Sequence, residues 1–395
     1  MKLAILTQPL HHNYGGLLQN YALQQVLKRH GHQVETIWLT VPKPKVTRFN
    51  VICSRCKRTI LNCLFPDKVT PFRYFRTDKE IAAIHKNTNG FIRKYISRSD
   101  YPVLVNNLRD YVNDNCFDGY IVGSDQCWRP KYNQGPFLPI MFLDFAKDIK
   151  NIKRIAYAAS FGSDEWEMSP VLTDICASFA QLFDCITVRE DSGVSLCKKY
   201  LKVNARHVLD PTMLLAREDY IALIDANNEP KSAGTLFYYI LDPNEAKNSL
   251  INQMAAINEQ IPYTVMPNIR PETHAQDDIR SYIDSCVYPR VTSWLRAFLD
   301  AETIVVDSFH GVVFSILFNK PFWAIGNRER GYSRFTSILK QFGLQDRLID
   351  EAEIEAFKSN MCKNGLSQKP IDWQRIDDIL EQERNRCTKL LIDSL

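Results

Sequence analysis

Asp307-Ser308-Phe309-His310-Gly311 places a carboxylate, a hydroxyl and an imidazole just before a glycine. Thr303 to Val306 reads as a buried strand, and Val312 to Phe318 as a helix. The histidine therefore stands where a strand hands over to a helix N-terminus. Amides and dipole at such a terminus favour phosphate. An imidazole beside that phosphate can give or take a proton near neutral pH. A structural histidine bonded to backbone carbonyls is the plainer alternative. Asp307 and Ser308 at the strand end favour the chemical one.

Three further groups have the right chemistry. Gly123-Ser124-Asp125-Gln126 follows a strand, and ligands of open α/β sheets bind at carboxyl ends of strands. Ser124 and Asp125 suit sugar hydroxyls, although Asp125 is equally placed to cap the next segment. Asn13-Tyr14-Gly15-Gly16 joins the first strand to the first helix, and paired glycines let a ligand approach the backbone. The spacing is not G-x-G-x-x-G, so no dinucleotide is implied. A tight turn with no ligand explains the same residues. Arg189, Arg330 and Arg334 follow strands, and a guanidinium fork matches carboxylate or phosphate. Each also suits a surface ion pair, Arg189 with Asp191 for example.

The elements that position these groups form two series. Leu3 to Leu6 reads as a strand, Leu17 to His30 as a helix stopped by Gly31, and Val34 to Leu39 as a second strand. Strands are predicted at 119–123, 155–159, 185–188 and 206–209. After Asp210-Pro211-Thr212 breaks the pattern, a fresh series has strands at 236–240, 263–266, 303–306 and 322–325. Two successive α/β series predict two doubly wound parallel sheets, joined near residues 212–232. Asp372 caps a long amphipathic C-terminal helix placed to cross back between them. The expected domains are 1–215, 216–365 and, for that helix, 366–395.

A chain of 395 residues exceeds one ordinary core, which agrees with two domains. A net charge of +4 is too small to argue for nucleic acid. Between Val41 and Thr77, nine basic residues, Lys43 to Arg76, face only Asp67 and interleave with apolar ones such as Phe65 and Phe72. Such a segment suits either an anionic membrane surface or a solvated excursion packed on the protein. Cys53 and Cys56 form the one CxxC pair among eleven cysteines, with no second pair or histidines near, so no metal is expected. The apolar start is too short for a signal peptide, and no run reaches about 20 apolar residues. A soluble, cytoplasmic protein is expected, with peripheral contact at the cytoplasmic face of the inner membrane as the alternative.

The motifs in their order resemble the polysaccharide pyruvyltransferase family. The resemblance rests on Asn13-Tyr14-Gly15-Gly16 with Gln19 to Gln24, Gly123-Ser124-Asp125-Gln126, and Arg189-Glu190. It continues through Asp307-Ser308-Phe309-His310-Gly311, Asn319-Lys320-Pro321-Phe322, and Arg330-Gly331 with Ser333-Arg334-Phe335. It implies a GT-B-like architecture, two Rossmann-like domains facing a cleft. It implies phosphoenolpyruvate as donor, with no other cofactor, and a saccharide acceptor; a hexose such as galactose, linked to undecaprenyl diphosphate, is one candidate. His310 and Asp125 are then the catalytic pair. Arg189, Ser308, Phe309, Gly311, Arg330 and Arg334 are expected at the donor, and Asn13, Tyr14, Gly15, Gly16 and Ser124 at the acceptor. Some relatives carry arginine two residues before the histidine; here that position is Ser308, so other arginines must hold the phosphate. A glycosyltransferase using a nucleotide sugar shares the predicted architecture, and a silent binding protein for anionic saccharides is a further alternative.

Overall fold

The structure, a computed structural model, describes residues 1–41, 56, 57, 59, 76–274, 278–326, 331–364 and 370–395. Two parallel sheets organise it. The first contains β1 (Lys2–Leu6), β2 (Gln33–Thr36), β5 (Gly119–Val122), β6 (Lys153–Ala159), β7 (Cys185–Val188) and β8 (Arg206–His207), in the order β2-β1-β5-β6-β7-β8. The second contains β9 (Leu236–Tyr239), β10 (Pro262–Tyr263), β11 (Thr303–Val306), β12 (Phe322–Gly326) and β13 (Leu348–Asp350), in the order β10-β9-β11-β12-β13. A small pair, β3 (Leu39–Thr40) with β4 (Val103–Leu104), stands apart. Central strands such as β1 and β11 are almost continuously apolar because both faces are covered.

Helix α1 (Tyr14–Arg29) starts earlier than its periodicity predicts. The Asn13 side chain caps it by accepting from the Gly16 amide at 3.1 Å, which draws both glycines out of the loop and into the first turn. Gly31, at φ +82°, supplies the left-handed stop. Helices α2 (Asp78–Ile84) and α3 (Lys86–Tyr95) reach across to the second sheet's side. The Tyr288 amide donates to the Ile84 carbonyl at 3.0 Å, and Asn87 Nδ2 donates to the Tyr288 carbonyl at 2.8 Å. Helix α4 (Phe309–Leu317) follows β11, and α5 (Tyr332–Phe342) follows β12.

The C-terminal helix α6 (Trp373–Asp393) touches both halves. Arg384 and Arg386 donate to the carbonyls of Met213 and His207, while Asn319 and Gln341 bond to its Asp377 and Glu383. One apolar cluster is continuous across both sheets, taking in Leu17 and Leu18 of α1, Tyr220, Trp294 and Phe314 of α4. Among the described residues no helix is long and apolar enough to cross a membrane. Most of the basic segment 41–77, and with it the predicted membrane contact, lies outside the described residues.

Candidate active site

Strand order reverses beside β1 in the first sheet and beside β9 in the second. Ligands of such sheets settle at carboxyl strand ends where the order reverses. Here the two reversal points share a cleft of about 720 Å³. Gln8 to Gly16 follow β1, Asp125 and Gln126 follow β5, Leu241 to Pro243 follow β9, and Asp307 to His310 follow β11; all four segments contribute lining residues. The N-termini of α1 and α4 thus meet across the cleft. Gly15 of α1 lies so near His310 of α4 that a Cβ built on it would stand 2.1 Å from the imidazole Nδ1.

His310 Nε2 lies 3.5 Å from Asp210 Oδ2, a residue from the first half of the chain. Asp210 is fully enclosed. Its Oδ2 also accepts from Ser124 Oγ at 2.8 Å and Arg189 Nη1 at 3.0 Å, and its Oδ1 accepts from the Thr212 amide and hydroxyl. Burial alone would raise its pKa, but His310, Arg189 and Thr212 together hold the carboxyl well below the usual range. Asp210 therefore remains an anion beside Nε2 of the ring. Nδ1 lies on the other side of the ring, against Gly15.

Arg189 braces this floor from beneath and does not line the cleft. It is 3% exposed, lies 3.6 Å from Glu190 and 3.7 Å from Asp125, and carries the Phe309 ring 4.3 Å from its guanidinium carbon. Burial works to lower its pKa, but Glu190, Asp210 and Asp125 raise it on balance. The surface pair with Asp191 is not formed; Asp191 faces Lys340 instead. Arg189→Ala strands three buried carboxylates, so it is expected to destabilise the protein by about 3 kcal/mol in chemical denaturation. An unchanged midpoint would mean that water enters and compensates them.

Of the other residues singled out in the sequence, Asn13, Gly15, Gly16, Asp125, Ser308, Phe309, His310 and Arg334 line the cleft. Asp125 adopts φ +76°, its carboxylate accepting from the Gln126 amide at 2.9 Å and lying 3.5 Å from Asn13 Nδ2. Ser308 caps α4 through the Gly311 amide at 3.0 Å. Burial and then Arg189 push Arg334 down to about 10, which leaves it charged at neutral pH. Three residues fall behind the wall. Ser124 is spent on Asp210. Tyr14 is buried, its hydroxyl donating to the Pro289 carbonyl at 3.1 Å. A Cβ on Gly311 would press on Val306 at 2.8 Å, so that glycine serves helix–strand packing. Arg330 lies outside the described residues.

Sequence reasoning missed Asp210, whose one signal is its place between a strand and Pro211. It also missed what Asp307 does: its carboxylate accepts from the amides of Leu241 and Asp242 and pairs with buried Lys247 at 3.1 Å, fixing the loop after β9. The third omission is a pile of rings at the cleft rim. His12 stacks on His11 at 4.5 Å, on Tyr288 at 4.7 Å and on His85 at 5.3 Å. Among the described residues no histidine, cysteine and carboxylate group is arranged to hold a metal.

Burial, then repulsion from His12, pushes both His11 and His85 down to about 4; His12 is lowered too, against the pull of Glu272. Arg76 opposes protonation of His85, whereas Glu272 assists it and Asp125 assists that of His11. The unfolded chain protonates these groups near 6.5 and the folded one near 4, so between those values the unfolded state holds more protons. Their contribution to stability is complete above about 6.5 and is lost as pH falls towards 4. Melting curves should shift down over that window, and less in a His11→Asn/His85→Asn double variant. Equal shifts would exonerate the pile.

Comparison with known proteins bears on the family and the fold. The model of the family described as polysaccharide pyruvyl transferase matches residues 13–329. Over nearly their full lengths, the fold is similar to Arabidopsis thaliana UGT89C1 complexed with UDP-L-rhamnose (TM-score 0.52, 10% identity, 99% of this chain and 98% of that one). It is also similar to the UDP-GlcNAc 2-epimerase of Neisseria meningitidis bound to UDP-GlcNAc (TM-score 0.50, 9% identity, 100% and 99%). A search of curated proteins returns no match. The likeness to solved structures gives the fold, α/β and GT-B-like. With a family match that takes in the glycine-rich turn after β1, the Ser124–Asp125 strand end and His310 itself, the chain belongs to the polysaccharide pyruvyl transferase family.

Proposed function

We propose that this protein moves the pyruvyl group of phosphoenolpyruvate onto two hydroxyls of one sugar, forming a pyruvate ketal and releasing phosphate. The observation that carries the reading is the clamped His310. It sits in the first turn of α4, with Asp210 on Nε2 and the N-terminus of α1 against Nδ1. The N-terminus of α4 favours the donor's anionic groups, and the ring supplies a proton where they bind.

A proton from His310 goes to the methylene carbon of phosphoenolpyruvate, and the central carbon becomes electrophilic. One sugar hydroxyl oxygen bonds to that carbon and gives up its proton, for which Asp125 at the cleft wall is the acceptor. The resulting adduct carries methyl, carboxylate, phosphate and sugar on one carbon. The bond from that carbon to the phosphate oxygen then breaks, the second hydroxyl oxygen bonds to the carbon in its place and returns its proton to His310, and the proton held by Asp125 leaves with the phosphate. Arg334 faces the developing anion. Ser308 caps its helix and holds no phosphate by charge, so the cationic share falls to Arg334 and, from the sequence, Arg330. Asn13, Gly15 and Gly16 form the acceptor wall. The acceptor is a hexose such as galactose in a lipid-linked glycan precursor.

The test is incubation with phosphoenolpyruvate and a panel of sugars, free and lipid-diphosphate-linked. A product heavier by pyruvate less water, with phosphate released in step, is the expected result. No such product, together with thermal protection by a nucleotide sugar, would replace the reading with glycosyl transfer.

A further inference from the structure

We propose that the outer face of the His11 ring is the platform on which a pyranose ring of the acceptor lies. This rests on the reading of the cleft as a site for saccharides. The pile at the rim is drawn from separate segments: His11 and His12 after β1, His85 between α2 and α3, and Tyr288 from the second half of the chain. His12 is its interior member, with His11, His85 and Tyr288 all stacked on it. His11 stands at the end. It is exposed, it lines the cleft, and among the described residues the aromatic rings within stacking distance of it are His12 and His85.

The ring is held before any ligand arrives. Nδ1 of His11 accepts from the His12 amide at 2.9 Å, so the neutral imidazole carries its proton on Nε2, a donor at the ring edge. Glu272 braces the far side, 3.5 Å from His12 Nε2 and bonded to the Tyr288 hydroxyl. A fixed ring loses little rotamer freedom on binding. Desolvation against the pile, then repulsion from His12, keeps it uncharged at neutral pH. A flat, neutral, immobile ring with one open face matches the C–H face of a pyranose, and its edge N–H matches a hydroxyl. Asn13 follows two residues later and its amide reaches Asp125, so a sugar lying on His11 presents its hydroxyls to both.

The probes are methyl β-galactopyranoside and methyl α-mannopyranoside, tested by saturation-transfer NMR without phosphoenolpyruvate. At least one should receive saturation at its ring C–H protons. The signal should be lost in His11→Ala and kept in His11→Phe, which preserves a flat ring. In the transfer assay, His11→Ala should raise the acceptor KM about tenfold, as loss of a ring contact of this kind does, with the phosphoenolpyruvate KM within about twofold of wild type. His11→Phe should restore most of it. Saturation of neither sugar, or saturation that survives His11→Ala, overturns the platform. Binding that behaves as described with no pyruvyl transfer sustains the platform and sinks the reaction instead.

Discussion

His310→Ala is expected to lower pyruvyl transfer about a thousandfold while the protein stays folded. A positioned acid–base group contributes about 10²–10⁴ to rate. A thousandfold loss is about 4 kcal/mol of transition-state stabilisation. The fold should survive because Asp210 keeps its remaining partners: Arg189, Ser124 and Thr212 still satisfy the buried carboxylate after the imidazole is gone. Melting temperature and far-ultraviolet dichroism check the fold, and phosphate release with ketal formation checks the rate. Near-wild-type turnover would remove the imidazole from the mechanism and leave the helix N-terminus to hold phosphate without proton transfer.

What the sequence showed of this arrangement comes from local signals. Apolar runs ending in polar residues marked β1, β5 and β11, and the polar ends lie in the cleft because strand order reverses there. The chain series also announced two sheets, which fixed the fold class. Strand lengths were less legible. The predicted strand at 263–266 shrinks to Pro262–Tyr263, an edge strand that pairs only with β9, and edges are commonly short. The strand predicted from Val34 to Leu39 stops at Thr36, and Leu39–Thr40 pairs elsewhere with β4.

Tertiary charge pairing was not legible at all. Arg189 reads as a donor contact or a surface ion pair with Asp191, yet Arg189 and Glu190 are buried because Asp125 and Asp210 arrive from distant segments to neutralise the arginine. The same holds for Lys247, fully buried against Asp307 sixty residues away. Nothing in the spacing of His11, His12, His85 and Tyr288 brings them together; only α2 and α3 reaching across to the second half of the chain do so.

Gly15→Ala is expected to cost turnover about a hundredfold, although helix propensity favours the change. Alanine is better than glycine in a helix interior by about 1 kcal/mol, and Gly15 lies in the first turn of α1 with no positive φ to protect. Space decides against it. The added Cβ would stand 2.1 Å from His310 Nδ1, 2.2 Å from Cγ and 2.7 Å from Cβ. Those atoms belong to the root of a short, buried side chain, not to a flexible tip. Either α1 and α4 separate, or the ring rotates off Asp210; in both cases Nδ1 leaves its place. A displacement of about 1 Å at a reacting group is enough for a hundredfold loss. Gly16→Ala is the control, because the nearest atoms its Cβ would meet belong to Asn13, no closer than 3.3 Å. The comparison of kcat between the two variants separates a cramped imidazole from a disturbed helix start. Equal, small losses would show that the halves stand further apart during turnover than they do here, and that His310 works free of α1.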